Sequence, residues 1–184
     1  PGLAQPDGDA LLLLTGGTTG AAKAAVASHR GLLAAGMQVQ AWSAGALPGW
    51  DTVAMLLMPL FHTYGNCGVL ATAIAGHWSV VLVPNPRDLD DVVATIRKTR
   101  PHAIPAVPTL FQALLEHPTV KARKVDLRSV RVCISGAAPL LAETKRRFEA
   151  ETGGKLLPAG SGRTRWVCAP CLEIIRAHKR VVGV

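Results

Sequence analysis

Aromatic side chains are scarce: three Phe, four Trp and a single Tyr make up 4% of the 184 residues. Charge is thin as well, at 17% Asp, Glu, Lys and Arg against 49% hydrophobic residues. That balance excludes a disordered, collagen-like or coiled-coil chain, each of which needs a more polar or more repetitive composition. The four cysteines, Cys67, Cys133, Cys168 and Cys171, are too unevenly spaced for a secreted disulfide framework, so a reducing cytoplasmic location is expected. No basic segment followed by an apolar stretch opens the sequence, and a secretory leader is not expected. The longest apolar stretch, Cys67–Pro84, is interrupted by Gly68, Gly76 and His77. It resolves into a helix and a strand rather than a membrane span, so no integral membrane segment is expected. Internal repeats and low-complexity tracts are also missing. What remains is an aliphatic-rich globular chain with the length of one domain and a core that needs no disulfide or metal.

Acidic residues are the scarcer sign, 12 against 20 basic ones, for a formal net charge of +8. The excess is uneven. Arg163, Arg165, Arg176, Lys179 and Arg180 face only Glu173 from residue 163 onward, so half the net charge sits in the last 22 residues. A strongly basic chain raises nucleic acid or an anionic membrane as partner. The densest basic run, Lys121-Ala122-Arg123-Lys124, lacks interleaved aromatics and reads as a solvated loop, so no nucleic acid is expected.

Short apolar runs alternate with amphipathic segments. Ala10–Leu14, Thr52–Leu57, Ser79–Val83, His102–Val107 and Val130–Ser135 read as strands. Helices are expected from His29 to about Ala44 with Ser28 as N-cap, from near Tyr64, over Arg87–Arg100, from Pro108 to about Glu116, and over Pro139–Thr152, stopped by Gly153-Gly154. Strands separated by helices imply an α/β fold with a partial, mostly parallel sheet flanked by helices. A sheet of this kind carries open edges, and self-association through them is expected.

The strongest local signal follows the first strand: Leu14-Thr15-Gly16-Gly17-Thr18-Thr19-Gly20-Ala21-Ala22-Lys23. Glycines let successive backbone N–H groups turn around an anion, threonine hydroxyls add donors, and a lysine supplies charge, which together suit a polyphosphate. The spacing fits neither a Walker A loop nor a dinucleotide fingerprint. As residues alone, a plain turn competes evenly with a phosphate site.

This run resembles the phosphate-loop signature of the adenylate-forming superfamily, closely that of the fatty-acyl-CoA ligases. The resemblance continues in order through Ser28-His29-Arg30, Met58-Pro59-Leu60-Phe61-His62-Thr63-Tyr64-Gly65, Arg100-Pro101 to Ala106-Val107-Pro108-Thr109-Leu110, and Cys133-Ile134-Ser135-Gly136-Ala137-Ala138-Pro139-Leu140. It implies a piece of the large N-terminal domain of the acyl-CoA synthetase fold, over residues 1–165. It also implies the family's reaction, in which ATP and a carboxylate give an acyl-adenylate and coenzyme A then takes the acyl group. By resemblance, Thr15, Gly16, Gly17, Thr18, Thr19 and Gly20 cradle the β- and γ-phosphates, with Lys23 as counter-charge. His62 stands between the acyl pocket and the α-phosphate, Gly136, Ala137, Ala138 and Pro139 line the adenine, and Thr164 binds the α-phosphate. The implied partners are a fatty-acid carboxylate, ATP with Mg²⁺, and CoA.

The resemblance breaks at Gly160-Ser161-Gly162-Arg163-Thr164-Arg165, aligned with the family's Gly-Tyr-Gly-x-Thr-Glu. Ser161 removes the aromatic plate against the nucleotide. Arg165 stands where a carboxylate helps hold Mg²⁺ and cannot coordinate a cation, so no metal ligand is assigned. Residues 166–184 form a basic tail unlike the family, as expected of a disordered segment or of sequence read past a frameshift or truncation. The Cys168-x-x-Cys171 pair with His178 lacks the remaining ligands of a closed zinc site. The resemblance therefore implies a truncated ligase, weak or inactive alone. The alternative is a non-catalytic remnant that retains only nucleotide or acyl binding, and a basic interaction protein is a third, weaker reading.

Overall fold

The computed structural model describes residues 4–15, 23–43, 45–47, 49–158 and 181–183. Strand β1 (Asp9–Thr15) turns back antiparallel into β2 (Lys23–Ser28), and β8 (Val181–Gly183) adds to the far side of β2. Helix α1 (His29–Ser43) starts where expected, because Ser28 Oγ accepts the Gly31 amide at 3.1 Å and satisfies one donor of the first turn. Strand β3 (Val53–Leu56) leads to a π-helical segment, Tyr64–Leu70, which continues as α2 (Ala71–Gly76) and is followed by β4 (Ser79–Leu82). Then come α3 (Leu89–Thr99), β5 (Ala103–Ala106), α4 (Pro108–Glu116), α5 (Pro118–Lys121), β6 (Val132–Ser135), α6 (Ala142–Thr152) and β7 (Lys155–Pro158).

Local chemistry explains most boundaries. In α3, the Asp88 side chain accepts the Asp91 amide, Asp90 and Asp91 occupy the first turn, and Arg97 and Lys98 the last, all favourable to the helix dipole. Pro108 opens α4 at a position that needs no N–H. Gly153, at φ 71°, closes α6 in the left-handed conformation that glycine adopts without penalty. Helix α6 begins three residues later than expected, at Ala142, because residues 139–141 belong to the loop that leaves β6.

The sheet is mostly parallel, as expected: β4-β3-β5-β6-β7, with every neighbouring pair parallel. Strands β1, β2 and β8 form a separate antiparallel sheet, and two strands, one in each sheet, correct the sequence expectation. Strand β2 replaces what reads as a loop running into α1, since Ala24, Ala25, Val26 and Ala27 are all buried and show no alternation of apolar and polar residues. Strand β7 is only four residues long and hides behind the glycine pair. The main core lies where α3, α4 and α6 cover the parallel sheet, with Ile96, Ile104, Phe111, Leu114, Phe148 and Leu156 buried together and the Phe111 and Phe148 rings edge to face at 5.0 Å. A smaller cluster, Leu13, Ala27, Ala35 and Cys67, fastens the hairpin and α1 to the π-helical segment. Helices α1 and α2 approach so closely that a Cβ on Gly36 would overlap the Ala71 carbonyl.

Candidate functional site

The order β4-β3-β5-β6-β7 means that the chain steps one way from β3 to β4 and then the other way through β5, β6 and β7. Strands β3 and β5 thus flank a topological switch point. Outside the carboxyl ends of such strands the loops diverge and leave a crevice, the usual ligand position in open α/β sheets. Here those loops are 57–63 after β3, Val107 after β5, and 136–141 after β6. His62 and Gly136–Pro139, assigned from two motifs far apart in sequence, therefore meet at one end of one sheet.

Tyr64 makes the join. Its ring is buried and its hydroxyl donates to the Ile134 carbonyl on β6 at 2.7 Å. Burial pushes the phenol pKa far up, with the neighbouring Cys133 adding to the shift, so the hydroxyl stays a neutral donor at any ordinary pH. Gly136 is shaped to this ring, because a Cβ there would stand 2.8 Å from it. On the other side of the tyrosine, a Cβ on Gly65 would overlap the Pro59 carbonyl, so the loop folds back on itself only with glycine there. Hydrogen bonds of His62 N–H to the Pro59 carbonyl (3.0 Å) and of Asn66 N–H to the His62 carbonyl (3.1 Å) hold the turn. The His62 ring is exposed, and its Nδ1 accepts the Tyr64 amide at 3.1 Å. In the neutral ring the proton then sits on Nε2, which leaves an N–H donor for an anion or a carbonyl oxygen.

Gly136 donates its N–H to the Ala106 carbonyl at 3.0 Å and so ties the ends of β5 and β6. Ala137, at φ 68°, is a non-glycine residue in the left-handed region, and Ala137, Ala138 and Pro139 are exposed. Such backbone costs of order 1–3 kcal/mol and is concentrated at functional loops. Sequence reasoning missed Ser135, the last residue of β6. It is 1% exposed and its Oγ has no hydrogen-bond partner among the described residues, at the position just before the Gly136 loop. Its position before Gly136 was the available signal.

The remaining predicted residues lie elsewhere. Thr15 and Lys23 are register partners that close the neck of the β1–β2 hairpin. The segment between them therefore joins two antiparallel strands, and the described chain that follows it is strand β2. Gly16, Gly17, Thr18, Thr19 and Gly20 lie outside the described residues, as do Thr164, Ser161 and Arg165. No hydrogen bond or ion pair among the described residues joins the hairpin neck to the His62 loop. The loops after β3, β5 and β6 contain no carboxylate, and among the described residues no three His, Cys, Asp or Glu side chains converge. That donor set does not fit a hard divalent cation. Also among the described residues, no helix is long and apolar enough to cross a membrane.

Comparison with known proteins gives a consistent result. The profile of the family described as AMP-binding enzyme matches residues 2–164. A long-chain-fatty-acid–CoA ligase of Bacillus subtilis (strain 168) is 37% identical over 154 residues, which cover 83% of this chain and 27% of the relative. The 4-coumarate–CoA ligase 3 of Oryza sativa subsp. japonica is 33% identical, over 96% of this chain and 32% of the relative. Among solved structures, apo MatB from Rhodopseudomonas palustris superposes with a TM-score of 0.66 at 29% identity, over 87% of this chain and 30% of that one. The chain therefore spans roughly a third or less of the length of the relatives it matches.

Proposed function

Since the chain belongs to the AMP-binding enzyme family, we propose that it is the phosphate-loop and acyl-pocket portion of an ATP-dependent acyl-CoA ligase. The reaction served is adenylation of a small-molecule carboxylate, of the fatty-acid class, followed by transfer of the acyl group to CoA. One observation carries the reading: the Tyr64 to Ile134 bond, which sets the His62 loop beside the Gly136–Pro139 loop at the switch point of the sheet.

Each group has a stated part. The Gly/Thr loop and Lys23 bind the outer phosphates of ATP through backbone donors and one cation. Gly136 to Pro139 offer a flat, side-chain-poor edge to the adenine. His62 Nε2–H donates to the substrate carboxylate or the α-phosphate as negative charge gathers between them. Thr164 adds a hydroxyl to that phosphate. The described donors do not fit Mg²⁺ and Arg165 occupies its expected ligand position, so charge neutralisation falls to Lys23 and Arg165, His62 adds a hydrogen bond, and no step runs through a metal. A location in the cytoplasm accords with ATP and CoA as water-soluble co-substrates.

The Arg165 position favours a second reading, a remnant that binds nucleotide without ligating. Amide NMR of the chain titrated with ATP tests the shared premise. Shifts at His62, Tyr64 and residues 136–138 are expected, and shifts absent from these loops refute it. Trapping of acyl-adenylate as a hydroxamate, with palmitate or coumarate, then separates the ligase from the remnant.

A further inference from the structure

At the end of the parallel sheet opposite the candidate site, the chain gathers cations. Arg131 stands immediately before β6, Lys155 opens β7, and Arg123, Lys124 and Arg128 lie between α5 and β6. All five are exposed and line a single basin of about 1160 Å³. Two carboxylates share it, Asp126 and Glu151. Asp126 is already engaged, by Arg100 at 3.1 Å and by the Arg128 amide at 2.9 Å. Among the described residues none of the five basin cations forms an ion pair.

The base of the basin is rigid. Val125, Leu127 and Val130 are buried in the main core, which turns Asp126, Arg128 and Arg131 outward. Backbone bonds fix the rest: Arg131 N–H to the His102 carbonyl (2.9 Å), Lys155 N–H to the Arg131 carbonyl (2.8 Å), and Lys124 N–H to the Thr119 carbonyl (3.0 Å). Arg123 is held at φ 53°, in the left-handed region. The positive potential reaches a neighbour, since His102 is kept below the usual histidine range by burial and then by the Arg131 charge.

Like charges fixed around a concavity repel one another, and a multiply charged anion relieves that repulsion. Guanidinium groups match phosphate oxygens in paired hydrogen bonds, and lysines add charge without a demand on geometry. A concave site suits a compact anion better than a flat surface or an extended strand. We propose that this basin binds a compact, multiply ionised phosphate group, at a site separate from the Gly/Thr loop and independent of nucleotide binding there.

The ligand chemistry is shared by free polyphosphates and by lipid headgroups that carry a phosphate monoester. Calorimetric titration of the full chain with tripolyphosphate tests the site, in wild type and three variants. The basin variant is Arg123→Gln, Arg128→Gln, Arg131→Gln. A control of equal charge is Arg87→Gln, Arg97→Gln, Lys98→Gln, and Lys23→Ala removes the charge of the Gly/Thr loop. A basin phase is expected that the basin variant weakens about tenfold or more and the control of equal charge leaves unchanged, while Lys23→Ala removes only the separate phase at the Gly/Thr loop. Lys155→Gln, which leaves the strand backbone intact, should give a smaller loss in the same direction and serves if the triple variant fails to melt cooperatively. No saturable binding, affinity untouched in the basin variants, an equal loss in the control, or a loss confined to Lys23→Ala would each overturn the proposal. Co-sedimentation with phosphatidylcholine vesicles, with and without phosphatidic acid, identifies the source. Basin-dependent capture by phosphatidic acid supports a lipid headgroup, and tripolyphosphate binding without vesicle capture supports a free polyphosphate.

Discussion

Replacing Tyr64 with Phe isolates the bond on which the site geometry depends. The ring stays, so its contacts with Gly68 and Gly136 are kept, and only the 2.7 Å hydrogen bond to the Ile134 carbonyl is lost. A buried hydrogen bond contributes about 0.5–1.5 kcal/mol net, and an acceptor left short in a buried place costs about 1–3 kcal/mol. Ile134 lies within a strand paired on both sides, which moderates the penalty, so a destabilisation of about 1–2 kcal/mol is expected. For a chain of this size that lowers Tm by about 2–8 °C. The loss should be constant from pH 6 to 9, because the phenol stays protonated in the folded state. Above the unfolded phenol pKa of about 10 the wild type carries an additional loss of stability as pH rises that the variant lacks, since only the unfolded chain releases that proton. Denaturant melts at several pH values give the numbers, and amide exchange at residues 62–66 should quicken in the variant. Unchanged stability together with unchanged exchange would mean that Tyr64 does not brace the loop, and the joining of the two motifs would lose its support.

Further consequences concern packing, edges and titration. Gly65→Ala should cost about 2–4 kcal/mol in thermal melts, because its Cβ meets backbone rather than a side chain that can move. Ser135→Ala removes a buried hydroxyl with no partner among the described residues and should be neutral or stabilising; a clear loss in denaturant melts would reveal a partner for that oxygen. The outer side of β7 is occupied at Leu156, whose N–H donates to Glu149 Oε1 at 2.9 Å and whose carbonyl accepts from Lys145 Nζ at 2.6 Å. Pro158 has no N–H to offer there. Lys145→Ala with Glu149→Ala should therefore make Leu156 exchange faster and the chain associate with concentration, read by hydrogen exchange and sedimentation. His102 Nδ1 accepts the Val53 amide at 3.0 Å, and its pKa lies below the usual value through burial and Arg131. The folded state thus favours the neutral ring, and stability falls as pH drops below about 6.5 toward the folded pKa. NMR titration of His102 checks the direction, and His102→Gln should flatten that part of the pH profile.

Most of the parallel sheet was legible because its elements obey local rules. The amphipathic face of α3, Pro108 at the start of α4 and Ser28 before α1 are each set by residues within a few positions. Strand β2 escaped because a buried run of alanines carries no periodicity, and β7 because two leucines between glycines and a proline are too few to read. Of the site, His62 and Gly136 were legible only through the family resemblance of their motifs. That they share one crevice depends on Tyr64, Gly65 and Gly136 fitting one another across 70 residues of chain, which only the fold brings about. The basin has the same origin. Lys121–Lys124 reads as a solvated loop, and it gains meaning only when β6 and β7 bring Arg131 and Lys155 beside it.

The central claim, that this stretch of chain keeps a working nucleotide-phosphate site, is tested most directly by calorimetric titration of the monodisperse protein with ATP, with and without Mg²⁺, alongside Lys23→Ala. The account predicts saturable binding that Lys23→Ala weakens by tenfold or more, on the order of 1.4 kcal/mol or above, and that persists without Mg²⁺. Absence of binding by a chain that still unfolds cooperatively, or binding indifferent to Lys23, would contradict it.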